Sequence, residues 1–553
     1  MTATAPPATH VDIVLSRAPR SAFAGTGGLL RLALRRDRIR IPVWAVGSAL
    51  LLVAVASSWD RLYPTDADRL NLAQSLAGDP TLRSILGPIF DPLSTGGLTA
   101  WRAGTSTALV LALVVSFLVV RHSRADEAEG RMELVLGAAV GRAAPLAAAI
   151  LSGAALLGLF AVVAALLLSA LGLGVAGSVA LASTVAAAAL VFAGVASLTA
   201  QIARTSRGAN GLAGLVVAVA FAVTAFGNGQ DGTSPLVWAT PFGWMQQTRA
   251  YADERWWLIG LSLVVAAALA LAGLHVAARR DLGDGLVAQR RGRRSAPSWI
   301  AGPVALAWRL DRTYLVVWLI AVAALGALEG SMLTTSVQLV EGNPEMVAIL
   351  EKIAGGPADL RDLFLVTMTG LFGLIAAGFG ITTALRLRAE EEDGRAELVL
   401  STARSRVQWL LGHGSTALVG STLILVVGGL SLGAVFGASD GDVVGQAWRA
   451  MLASALMAPA VWLVVAIPIA LVGTLPRWAA PVAWLVLVWC VLAGYFGQVL
   501  GLPDWLQQST PFGHVPLWPA QPMSWTPLVV LALLAAAVLA AGIAGIRRRD
   551  LPR

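Results

Sequence analysis

The stretch Arg124-Ala125-Asp126-Glu127-Ala128-Glu129-Gly130-Arg131-Met132-Glu133-Leu134-Val135-Leu136 places six charged side chains in thirteen residues, in a chain of which only 13% is charged. It is written a second time as Arg388-Ala389-Glu390-Glu391-Glu392-Asp393-Gly394-Arg395-Ala396-Glu397-Leu398-Val399-Leu400. Each copy follows one long apolar run and precedes another. Runs of about twenty apolar residues are long enough to cross a ~30 Å hydrocarbon core as helices. The charged copies are therefore the segments that emerge between membrane spans.

Composition agrees with a membrane setting. The 553 residues are 57% hydrophobic, with a mean hydropathy of +0.74. A soluble domain carries about 25% charged residues, roughly twice the share found here. Twelve apolar segments can be drawn. In the first half they run over 41–59, 101–120, 145–172, 178–202, 210–227 and 257–277. In the second they run over 314–332, 365–385, 409–437, 447–473, 482–501 and 526–546. The single cysteine, Cys490, excludes a disulfide framework, and the five histidines show no metal-ligand spacing.

The formal charge of +8 is read through the positive-inside rule rather than as a nucleic-acid footprint. With the amino terminus inside, 31 of the 40 basic residues fall on the cytoplasmic side and 9 on the outer side. Both termini, and both charged copies, are thereby expected in the cytoplasm.

The charged segment is one of four markers that recur in order. Arg35-Arg36-Asp37-Arg38 returns as Arg309-Leu310-Asp311-Arg312, and Thr240-Pro241-Phe242-Gly243 as Thr510-Pro511-Phe512-Gly513. Arg-Arg-Asp-Leu closes each half, at 279–282 and at 548–551. The four offsets are 274, 264, 270 and 269 residues. Such constancy indicates a tandem duplication of a six-span unit, and an even span count gives the halves the same orientation. The expected fold is an all-α integral membrane protein with 12 transmembrane helices. They form two parallel six-helix halves related by a pseudo-two-fold axis. Its parts are a polar tail over 1–29, a first half over 30–282, a basic cytoplasmic linker over 283–299 and a second half over 300–553. The outer segments 60–100 and 333–364 are long enough for short amphipathic helices, and the Thr-Pro-Phe-Gly turns read as re-entrant or interfacial pieces.

Within the charged segment, Glu127 and Arg131, like Glu391 and Arg395, stand at the i,i+4 spacing of a helical ion pair. Gly130 and Gly394 are poor helix interiors and predict a break. Beyond each glycine, Arg-x-Glu-Leu-Val-Leu predicts a short amphipathic helix with its acid near the positive end.

The pattern Glu-x-x-Gly-Arg-x-Glu-Leu-Val-Leu, followed six residues on by Arg142 or Arg406, resembles the coupling-helix segment of type-2 ABC exporter permeases. In that family the segment lies between the second and third spans and docks on the ATPase, and here both copies occupy that place. The fused two-half form resembles exporters of polyketide antibiotics of the tetronasin type. The resemblance implies ATPase docking through Glu127, Gly130, Arg131, Glu133 and Leu134, and through Glu391, Gly394, Arg395, Glu397 and Leu398. Many members carry Thr-Pro after the leucine run, where this chain has Ala138-Ala139 and Thr402-Ala403. The expected partners are two copies of an ABC ATPase subunit, membrane lipid and a hydrophobic small-molecule substrate, with no nucleic acid. The expected location is the bacterial plasma membrane.

No motor is written in the chain. A P-loop needs a lysine after its glycines, and Lys352, the only lysine, follows Glu351 with no such glycines before it. The chain is therefore expected to be no enzyme itself and to hold no cofactor, with ATP and Mg bound on the partner. Within the drawn spans the only carboxylate is Glu329, which counts against a proton-coupled 12-span carrier, the chief alternative. A non-transporting membrane scaffold or sensor is the third reading. No catalytic constellation and no metal site is visible, and His413 beside Ser415 reads as a packing group. Phe117, Phe372, Phe379, Tyr495 and Phe496 are candidate linings of an apolar substrate path.

Overall fold

A computed structural model describes residues 21–77, 80–230, 234–281, 283–286, 297, 302–341, 360–402, 404–495 and 502–549. Among them there is no strand, and 12 helices are long and apolar enough to cross a membrane. The chain divides into two compact units, Met1–Gly292 and Arg293–Arg553. The first unit carries Arg40–Asp60, Thr95–Ala128, Ala144–Ala170, Val175–Ile202, Ser206–Gly229 and Trp257–Arg279. The second carries Pro303–Ser331, Leu365–Glu392, Arg406–Asp440, Val443–Thr474, Pro476–Gly494 and Thr526–Arg548. These helices are numbered below as spans one to twelve, and each apolar segment drawn from the sequence falls on one of them.

Within each unit the second and fourth helices form the interior. Spans two and four have 67% and 72% of their apolar stretch buried, against 22% for spans five and six. Spans eight and ten show 61% and 56%. Their small residues are what admit neighbours: apart from packing and hydrogen bonds, lipid offers little drive for helices to associate. Helix starts follow local capping chemistry. Ser94 accepts from the Gly97 amide at 2.9 Å, Thr205 from Gly208 at 3.1 Å and Asp442 from Gly445 at 2.9 Å, while Ser405 and Gln408 complete a capping box.

The approach to the first span differs between the units. Thr26–Arg36 is a separate helix that stops at Asp37, and the span restarts at Arg40. In the second unit one helix, Pro303–Glu341, runs from the approach into the span. Pro42 explains the difference: it has no amide to give Arg38 and its ring clashes there, so the helix must restart. Val316 stands at the matching place and imposes no break.

At the ends opposite the charged segments, the segment 60–100 contains two short helices, Asp66–Ala77 and Pro80–Leu86. Most of 333–364 lies outside the described residues. Arg449 of span ten binds Asp362 at 2.8 Å. Both Thr-Pro-Phe-Gly turns are helix starts. Thr240 and Thr510 accept from the amides of Gly243 and Gly513 at 3.1 and 3.3 Å, with the proline in the first turn. Phe242 is fully buried and stacks on Phe192 of span four at 5.1 Å. A Cβ on Gly243 would lie 1.7 Å from the Val237 carbonyl oxygen. Gly243→Ala is therefore expected to destabilise this turn by about 1–3 kcal/mol, read as a lower melting midpoint of the purified protein in detergent.

Candidate functional site

The two charged segments make the same glycine turn into a short helix of the same length. Span two continues past Val120 through a π-helical turn, Arg121–Ala125, into Asp126–Ala128. The chain then turns at Gly130 with φ 72° and enters the short helix Arg131–Leu136. In the second unit Arg386–Glu392 leads to Gly394 with φ 70° and to Arg395–Leu400. Positive φ is the reason for glycine here, since a Cβ at either position would meet nothing within 4 Å. A single residue of each short helix is buried, Met132 in the first unit and Ala396 in the second. Two residues further on, Leu134 is 82% exposed and Leu398 is 73% exposed. Glu133 and Glu397 are exposed beside them, in the first helical turn where a negative charge suits the dipole.

The charges sort into an outward and an inward set. Arg131 binds Asp126 at 2.6 Å and also contacts Glu129, while Arg36 reaches Asp126 at 3.0 Å. The hydrogen bond to Asp126 raises the Arg131 pKa further, so this guanidinium stays charged. In the second unit Arg395 binds Asp393 at 2.5 Å and Arg388 binds Glu392 at 2.5 Å. The i,i+4 pairs read from the sequence, Glu127 with Arg131 and Glu391 with Arg395, do not form. The glycine break turns each arginine away from its glutamate, and both glutamates face inward. Glu127 is held by Arg280 at 2.7 Å, by Arg124 at 2.9 Å and by the Gly283 amide at 2.7 Å. Glu391 pairs with Arg549. Burial lowers the Arg549 pKa, and neighbouring Arg388 adds to the effect.

The aspartates of the arginine-rich markers turn out to be buried supports, a role that their sequence context did not reveal. Asp37 is fully buried and binds His122 at 2.5 Å, with Arg40 and Arg121 at 3.5 and 3.6 Å. Asp311 is 1% exposed and pairs with Arg386, which stands where the first unit has His122. Each aspartate thus ties the start of its unit's first span to the end of its second, one turn before the charged segment. His413 binds Glu390 at 3.0 Å, and the Trp409 indole donates to the same carboxylate at 3.3 Å. The arrangement is a packed polar network rather than a nucleophile system, since Ser415 gives its hydroxyl to the Gly412 carbonyl.

Behind the first short helix lies a cavity of about 210 Å³, lined by Ser123, Glu127, Met132, Arg142, Gln201 and Arg280 among others. The aromatic candidates for a substrate path fall on both units. Phe372 and Phe379 are fully buried in the second unit, and Phe379 stacks on Tyr314 at 5.5 Å. Rings at these positions pack against Gly428 and Gly420. Phe117 is 44% exposed on the first unit. The Tyr495 side chain and Phe496 lie outside the described residues.

The family described as "Multidrug efflux system permease Rv1217c, C-terminal domain" matches residues 27–276 and 300–547. The Multidrug efflux system permease protein Rv1217c of Mycobacterium tuberculosis (strain ATCC 25618 / H37Rv) is 36% identical over 546 residues, covering 97% of each chain.

Proposed function

The chain belongs to the multidrug efflux system permease family, and from that premise we propose that it is the transmembrane subunit of an ATP-driven exporter of hydrophobic compounds. Antibiotics and drugs, polyketides among them, are the proposed cargo class. A separate ABC ATPase subunit binds in two copies, one on each charged segment, at the cytoplasmic face of the bacterial plasma membrane. It carries the ATP and Mg that this chain has no P-loop to hold.

The observation that carries this reading is the pair of exposed leucines. Leu134 and Leu398 stand at matching places on two glycine-started helices, each ringed by Glu, Asp and Arg. An apolar residue held out of a charged rim is how a protein interface presents its anchor. Arg131, Glu133, Arg395 and Glu397 supply the rim. Glu127 and Glu391 support it from behind, and Gly130 and Gly394 set its angle. ATP-driven closure of the ATPases moves the segments, and the helices packed on them respond by opening the transport path to the other side of the membrane. The two rims differ, because Ala128 corresponds to Glu392 and Glu129 to Asp393.

The energy source tests the proposal. In inside-out vesicles containing the permease and its ATPase, uptake of a fluorescent lipophilic drug is expected to rise at least ten-fold with ATP and to ignore a protonophore. Uptake that needs a proton gradient and no ATP identifies a secondary carrier instead. Drug-independent behaviour under both conditions identifies a scaffold or sensor.

A further inference from the structure

We propose that one carboxylate–guanidinium pair in each unit fastens the docking segment to the end of that unit's last span, so that the ATPase stroke reaches spans six and twelve directly. The pairs are Glu127 with Arg280 and Glu391 with Arg549. The inference rests on the docking reading above and goes beyond it, because it assigns a route for the movement rather than a contact for the partner.

The geometry of both units carries it. Glu127 lies three residues before the glycine break and Glu391 three before its counterpart. Arg280 is the first residue beyond span six, and Arg549 the first beyond span twelve. The pairs are 153 and 158 residues apart in sequence, so chain proximity does not explain them. They are also enclosed: the side chains are 10% and 10% exposed in the first pair and 6% and 16% in the second. A surface pair is screened and loosely held, whereas an enclosed pair leaves an uncompensated charge when it opens.

The same arginines hold a third helix. Arg280 donates to Gln201 near the end of span four at 3.0 Å, and Arg549 donates to the Val472 carbonyl near the end of span ten. In the first unit Arg124 adds a bond to the Ala200 carbonyl at 2.9 Å. The second, fourth and last helices of each unit are thus gathered at one carboxylate beneath the docking helix. Packed helices respond to a push by discrete rigid shifts, not by continuous bending. A push on the segment is therefore passed to all three. Glu127 and Glu391 are positioning residues in this scheme.

The test separates movement from docking. Arg280→Gln combined with Arg549→Gln alters the last spans and touches neither exposed leucine. With the partner ATPase co-expressed, the double variant is expected to retain the ATPase in wild-type ratio. It should lose ATP-driven export at least ten-fold and lose stimulation of ATP hydrolysis by drug. Adding Glu391→Gln to Arg549→Gln is expected to cost no more than Arg549→Gln alone, because Glu391 pairs with Arg549 and the two act as a unit. Should the glutamine variants fail to accumulate, Arg280→Lys and Arg549→Lys keep the charge and shorten the reach. They are expected to show partial export with full ATPase retention. Wild-type export in the double variant overturns the proposal. So does loss of the ATPase in proportion to export, which makes the pair a support of the docking face alone. If the wild-type permease itself retains no ATPase, the docking reading fails, and that result is distinct from either of these.

Discussion

Replacing Leu134 and Leu398 together by aspartate is expected to strip the permease of the proposed ATPase partner and abolish export while leaving the permease folded. Both side chains are largely exposed, at 82% and 73%, and neither is the buried residue of its helix. Substitutions at such positions usually change stability by no more than about 0.5 kcal/mol. In the proposed complex, by contrast, each leucine would fill an apolar site on the partner, and full burial of such a side chain is worth about 1.5–3 kcal/mol. A carboxylate placed there adds its own desolvation cost. The loss per site is therefore about 2–3 kcal/mol, or roughly thirty- to 140-fold in dissociation constant. The measurement is the amount of ATPase recovered with affinity-purified permease, with melting in detergent as the folding control. Each single substitution is expected to leave one ATPase per permease. Wild-type recovery of ATPase together with wild-type export by the double variant would show that these helices are not the docking surface.

The span architecture was legible because it rests on chemistry local to the sequence. Apolar length marks a span, while the structure starts four of these helices, capped by Ser94, Thr205, Ser405 and Asp442, a few residues before the apolar runs drawn from the sequence. The breaks at Gly130 and Gly394 were legible for the same reason, since only the residue type and its place were needed. The partner of Glu127 was not. Pairing it with Arg131 assumed one continuous helix, yet the glycine that broke the helix also removed the i,i+4 relation. A clue was present nonetheless. Arg280 and Arg549 belong to the marker that closes each half, and their offset of 269 residues nearly matches the 264 of the charged segment. Opposite charges that recur together at one end of the spans are candidates for meeting there. Asp37 and Asp311 carried the same clue in their arginine-rich markers, and their burial shows only once the end of the second or eighth helix is packed against them.

Glycines in the last helix of each unit supply the second large effect. Gly542→Val is expected to lower the melting midpoint of the purified permease strongly and to reduce export with it. A Cβ at Gly542 would lie 2.7 Å from the Ala470 Cα of span ten. From the other side, a Cβ at Gly473 would lie 2.3 Å from the Gly542 carbonyl oxygen, and one at Gly545 would lie 2.7 Å from the Gly473 carbonyl oxygen. These obstacles are backbone atoms, so no rotamer change relieves them and the two helices must separate. Gly273 holds the matching place in span six, where a Cβ would meet the Ser197 hydroxyl at 2.2 Å. The hydroxyl has some freedom to turn away, though the Ser197 Cβ at 2.9 Å has not, so Gly273→Val is expected to be destabilising but to cost less than Gly542→Val. Gly260, exposed in span six with nothing within 4 Å of a Cβ, is the internal control. Replacing a glycine inside a helix with alanine gains about 1 kcal/mol of propensity, and at Gly260 nothing opposes that gain. At Gly542 the overpacking cost of about 1–3 kcal/mol or more outweighs it. Gly260→Ala is thus expected to melt at or above the wild-type midpoint and Gly542→Ala below it. Equal midpoints for the two alanine variants would mean that spans ten and twelve are not in backbone contact, and the route from Arg549 into the tenth helix would lose its packed support.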